Sequence, residues 1–227
     1  MNDTEGTPGE TGLLFFGKMT ASISHEIKNV LAIINENAGM LEDFTFMERK
    51  GIPLNSETIG SVAKRMLKQI QRADGIIKKM NRFAHSIDQP IATVDVVEAV
   101  ALVIALCDRI AANKTITLEA APSSIPVTIV TSPFYLETLI WRCIEFSMEV
   151  SGKDKRVAIA VEPDERGARI RFTLLGGLGQ NQPQPERFPA KAENALLEAL
   201  KAGLAVDIAA HEIVMVLPNL VSDGSNP

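Results

Sequence analysis

Cysteine is scarce in this chain. Cys107 and Cys143 are the only two among 227 residues. They stand alone, with no CxxC pair and no Cys/His cluster, which excludes a zinc site and a disulfide framework and fits a reducing, cytoplasmic setting. An excess of basic charge is also missing. The formal net charge is −5, so nothing general favours nucleic-acid binding. Long apolar runs are absent. The longest, Ala99 to Cys107, is too short to span a bilayer. The N-terminus MNDTEGTPGE lacks the basic start of a signal peptide. Walker and Rossmann fingerprints and a hydrolase nucleophile elbow are absent too, so Ser22 and Ser24 do not make a hydrolase.

What is present is organised in two halves. At 227 residues the chain has room for one large domain or two small ones, and 46% hydrophobic content supplies a core. Residues 1–10 read as a disordered tail, and 221–227 as another. Residues 11–48 read as a long helix. At about 100° per residue, Phe16, Met19, Ile23, Ile27, Val30, Ile34 and Leu41 share its apolar side. Gly51-Ile52-Pro53-Leu54-Asn55 is a turn, with Ser56 as the N-cap of a second helix running to about Ile87.

That second helix carries two heptad lines: Ile59, Met66, Ala73, Met80 and Val62, Gln69, Ile76, Phe83. Two long helices over 11–88 make a hairpin, and a lone hairpin leaves apolar surface wet. Two copies are therefore expected to pair as a homodimeric four-helix bundle. The second helix is basic through Lys64, Arg65, Lys68, Arg72, Lys78, Lys79 and Arg82, which reads either as a solvated face or as a dock for an acidic partner.

After Asp88-Gln89-Pro90 the pattern alternates. Helices are expected at Val94–Ala112, Phe134–Val150 and Ala190–Ala202. Strands are expected at Thr115–Glu119, Pro126–Val130, Arg156–Val161, Ala168–Leu174, Ala205–Ile208 and Glu212–Leu217. Residues 91–220 thus read as a two-layer α/β sandwich.

One hexapeptide concentrates the chemistry: Ser24-His25-Glu26-Ile27-Lys28-Asn29. His25 lies nearly opposite Ile23 on the helix, and Asn29, four residues on, shares its face. The ordinary reading is an inert exposed histidine. Held on the wet face beside a carboxylate and an amide, however, His25 is placed to react rather than to pack.

This hexapeptide resembles the H-box of the dimerisation and phosphotransfer domain of bacterial sensor histidine kinases. The resemblance implies that His25 is the phosphoacceptor, Glu26 its acid partner and Asn29 a polar helper in dephosphorylation. That family usually has Pro after the Asn; here it is Val30, so no proline kink is expected. Because few residues precede the hexapeptide, the chain reads as a stand-alone relay protein or a cut fragment.

The α/β half resembles the family's ATP-binding domain in element order but departs from it in chemistry. Trp141 and Glu145 stand where an Asn-rich helix supplies the Mg²⁺ ligand. Glu145 could hold a metal, but Trp141 could not. Leu175-Gly176-Gly177-Leu178-Gly179 keeps the glycines (Gly177 and Gly179 among them) of an Asp-x-Gly-x-Gly motif but has Leu175 for the Asp that reads adenine. This stretch reads as a simple turn before a phosphate cradle. A second glycine-rich lid is replaced by Gln180-Asn181-Gln182-Pro183-Gln184-Pro185.

The expectation is a degenerate nucleotide domain that binds no ATP, with no metal site of its own and Mg²⁺ supplied by a response-regulator receiver partner. On that reading His25 accepts and donates a phosphoryl group in two-component signalling. Two rivals stay open: an active histidine kinase with a divergent ATP site, and a non-catalytic dimerisation scaffold. His85 and His211 are expected to be structural, and Trp141 and Phe146 to be core.

Overall fold

The computed structural model describes residues 7–123, 125–179 and 188–220. The expected tails at 1–6 and 221–227 and the lid stretch 180–187 lie outside the described residues.

The first helix, α1 (Pro8–Arg49), starts earlier than its apolar pattern suggests. Thr7 and Glu10 form a capping box: the Glu10 N–H donates to Thr7 Oγ1 at 3.3 Å, and the Thr7 N–H to Glu10 Oε2 at 2.8 Å. Pro8 takes the first helical position, where its missing N–H costs nothing. Residues 8–10 are therefore helix and not tail. The second helix, α2 (Ser56–His85), is capped by Asn55 rather than Ser56; the Asn55 Oδ1 accepts from the Glu57 and Thr58 N–H groups.

The described chain divides into two compact units. One holds Thr20–Arg82; the other holds the residues up to Met19 together with Phe83 onward.

In the first unit α1 and α2 run antiparallel, with a register marked by Glu26–Arg72 and Asn37–Arg65 contacts. The heptad lines of α2 form its inner side: Val62 and Ile76 are buried, and Ile59, Met66, Ala73 and Met80 half-buried. Ile23 and Val30 answer from α1. Gln69 interrupts the seam with a buried Oε1 that has no partner. Leu31, Leu67, Ile70 and Ile77 remain exposed.

The other unit contains the sheet. A short strand, β1 (Ala92–Asp95), replaces the expected start of a helix at Val94 and pairs antiparallel with β3 (Thr128–Thr131). Asp95 then caps α3 (Val96–Asn113) by accepting from the Val97 N–H. The larger sheet has the order β2-β4-β5-β7-β6, with β2 (Thr117–Ala120), β4 (Arg156–Asp164), β5 (Gly167–Thr173), β6 (Gly203–Asp207) and β7 (Glu212–Pro218). β2 pairs parallel with β4, and the other pairs are antiparallel. α4 (Pro133–Glu149) and α5 (Lys191–Leu200) complete the elements.

The period-2 pattern of the strands makes the sheet one-sided. Ile159, Ile170, Phe172, Ile213 and Met215 are buried toward the helices. Arg171, with ion pairs to Glu212 and Glu162, lies on the other face. His211 falls in the turn between β6 and β7 at φ 53° rather than in a strand.

The first turns of α1 belong to this unit because their apolar side chains complete its core. Phe15, Met19 and Phe83 are almost fully buried.

Candidate functional site

In the helical unit the three residues singled out by sequence lie on consecutive turns of α1. His25 and Asn29 are exposed, as the 3.6-residue period requires of positions opposite Ile23 and Val30, which are buried. No proline kink occurs, since Val30 is in the middle of continuous helix. Glu26 lies one residue round toward α2, half-buried. Its Oε1 accepts a hydrogen bond from Arg72 Nη2 at 2.9 Å, so this oxygen is turned to α2 and not to the ring of His25. The arrangement is an exposed imidazole with an amide one turn away on its face and a carboxylate tethered to the neighbouring helix.

Arg72 is the residue that sequence reasoning left among the basic charges of its helix. The signal is the antiparallel register of a hairpin, which aligns a position in the middle of α2 with the turn that carries His25. That alignment needs the turn length and both helix starts, and one of these starts is set by a cap that hydropathy does not reveal.

In the other unit Trp141 lies in the core and Glu145 lines a cleft. Trp141, on α4, is 1% exposed. Its indole stacks on Phe15 with centroids 4.7 Å apart and planes 13° apart. Phe15 in turn meets the edge of Phe83 at 4.6 Å, and Lys18 Nζ lies 5.0 Å from the indole centroid.

Glu145 is ion-paired on both oxygens, with Lys18 through Oε1 and with Arg142 through Oε2. Arg142 also binds Glu193, which is fully buried and accepts the Ala190 N–H at the start of α5. Burying that carboxylate is tolerable only because it is paired and hydrogen-bonded. The chain Lys18–Glu145–Arg142–Glu193 ties α1, α4 and α5 together. Beside it is a cleft of about 240 Å³ lined by Arg142, Glu145, Phe146, Phe188 and Glu193 among others. Its wall is the parallel stack of Phe146 on Phe188, 4.2 Å apart.

The glycine stretch is a packed turn. Leu175 is buried and its N–H donates to the His211 carbonyl. The Gly177 N–H donates to the Val150 carbonyl at 2.9 Å, and a Cβ on Gly177 would stand 3.0 Å from that oxygen. Gly179 has φ +77°, and its Cβ would collide with Ile208. Close backbone approach requires Gly177 and the positive φ requires Gly179, and the Gly177 donor is already used within the chain.

Burial holds both thiols protonated. It pushes Cys107 up to about 12, with Glu145 adding to the shift, and raises Cys143 as well, with Glu193 raising and Arg142 opposing. No helix among the described residues is long and apolar enough to cross a membrane. The same residues contain no group of three or more His, Cys, Asp or Glu side chains able to hold a metal ion.

No protein-family model and no curated protein matches the chain. Solved structures resemble it. The histidine kinase AdeS of Acinetobacter baumannii aligns with a TM-score of 0.47 and 13% identity, over 87% of this chain and 98% of its own. The ATP-binding domain of PrrB from Mycobacterium tuberculosis aligns with a TM-score of 0.45 and 17% identity, over 59% of this chain and 100% of its own. A mycobacterial sensor histidine kinase, MprB, gives 0.42 and 19%, over 56% and 96%.

Proposed function

We propose that the chain is a two-component signalling protein in which His25 accepts a phosphoryl group from a response-regulator receiver domain and passes it to another. The observation that carries this reading is the exposed His25 of Ser24-His25-Glu26-Ile27-Lys28-Asn29 on continuous helix, with Asn29 one turn away on its face.

The step is an in-line displacement. The Nε2 lone pair of His25 forms the N–P bond while the acyl-phosphate O–P bond of a receiver aspartate breaks, and its electron pair leaves on the aspartate carboxylate. Glu26, whose Oε1 is held by Arg72, has Oε2 left to act as the acid partner of the ring, and Mg²⁺ comes with the receiver. The basic face of α2 is the docking surface for an acidic receiver. The exposed Leu67, Ile70 and Ile77 supply the apolar face on which two copies pair.

On this reading the α/β unit does not serve as an ATP site. Trp141 fills the core beside Phe15, both Glu145 oxygens are engaged by cations, and the Gly177 N–H is spent on Val150. The cleft beside them, about 240 Å³, falls below the usual 300–1,000 Å³ of ligand pockets.

The experiment is incubation with labelled ATP and Mg²⁺, and separately with labelled phospho-receiver, using wild type and His25→Ala. Label from the receiver alone, lost in His25→Ala, is the expected result. Direct label from ATP would make the chain a kinase. Label from neither source, with intact dimers, would make it a scaffold.

A further inference from the structure

We propose that Arg72 is a positioning residue for transfer at His25, acting through Glu26; the inference rests on the function proposed above. The contact is specific. Arg72 Nη2 meets Glu26 Oε1 at 2.9 Å across the two helices, with the side chains 56% and 27% exposed. The Glu26 carboxylate adjoins the acceptor in sequence, and a phosphoryl group arriving at His25 carries up to about two negative charges. A bare carboxylate there repels it. Paired with Arg72, the carboxylate is both fixed in direction and neutralised, so it flanks His25 without opposing the incoming anion. A planar guanidinium suits this because its donors form a rigid fork that leaves other N–H groups after one is used.

The surroundings leave room for the reaction. Gly75, one turn from Arg72 on the same face, would place a Cβ within 4 Å of nothing. The surface of α2 one turn from Arg72 is therefore open. The pair adds little to folding, since its Arg72 side chain is more than half exposed. Arg72 variants should thus fold, and their kinetics report function.

The test uses the full chain and a receiver domain, charged with labelled acetyl phosphate, that labels wild type but not His25→Ala. Initial label rates are measured against receiver concentration. Arg72→Ala should lower the saturating rate about 10- to 100-fold while the half-saturating receiver concentration stays within about twofold. Arg72→Lys should recover part of the loss. In a Glu26→Gln background the further effect of Arg72→Ala should be small, because the group through which it acts is gone.

An unchanged saturating rate overturns the inference. So does a change confined to half-saturation, which makes Arg72 a docking residue. So does full additivity with Glu26→Gln, which puts the guanidinium on the phosphoryl group itself. If no receiver labels the wild type, or if His25→Ala labels equally, the phosphotransfer reading fails and this inference fails with it.

Discussion

Trp141 shows what a single residue decides. An indole at this point of α4 cannot ligate a metal, and here it is the stacking partner of Phe15 at the centre of a core. Trp141→Ala should cost about 3–5 kcal/mol, read as a fall in the midpoint of urea unfolding. The thiols behave as core residues of the same kind. Cys107 and Cys143 should resist a thiol reagent at neutral pH in the folded chain and react once it is denatured, because burial keeps both protonated. Their linkage has a definite sign. Below pH 9 both folded and unfolded chains hold the protons. Above it the unfolded thiols ionise while folded Cys107 holds its proton to about 12, so stability should fall as pH climbs from 9 toward 12, by up to about 1.4 kcal/mol per unit for each thiol. Urea titrations of wild type and a Cys107→Ala, Cys143→Ala double variant over that range would show it as a steeper decline in the wild type.

At the scale of elements, the helices are defined by their ends and faces together. The Thr7–Glu10 box adds a helical turn at the start of α1 that the apolar pattern does not show. Thr7→Ala should cost about 1 kcal/mol, seen as a lower thermal midpoint. Gly60 and Gly75 lie inside α2 where a Cβ would meet nothing within 4 Å. Gly60→Ala should therefore stabilise the chain by about 0.5–1 kcal/mol, measured by the same unfolding curve. A Gly75→Ala variant should gain as much in stability. The heptad lines of α2 were legible because a packed seam needs a periodic apolar supply, and β4 and β5 were legible for the analogous reason at period 2. The strand β1 was not. Four residues with mixed burial carry no pattern, and only pairing with β3 makes Ala92–Asp95 extended.

For the whole molecule, the two units divide the chain at points that composition does not mark. The first turns of α1 count with the sheet-bearing unit because Phe15 and Met19 are buried there with Phe83 and Trp141. A fragment beginning at residue 20 should expose that aromatic cluster, lose cooperativity in thermal unfolding and aggregate. The proposed pairing of two copies belongs to this scale too. If the exposed face of α2 is the contact, the wild type should sediment as a dimer and a Leu67→Glu, Ile70→Lys variant as a monomer.

The sequence by itself determined the hairpin, the alternation of the α/β half and the exposed position of His25 and Asn29, because each follows from a short-range period along one helix or strand. It also showed an indole at Trp141 and an aliphatic side chain at Leu175, which are matters of residue identity. Only the tertiary structure decided that Glu26 is held by Arg72, that Glu145 is shared between Lys18 and Arg142, and that the Gly177 donor is spent on Val150. Each of these contacts joins residues at least 27 positions apart in sequence except Arg142–Glu145. Their partners are chosen by how helices and turns come together, and no local pattern encodes that.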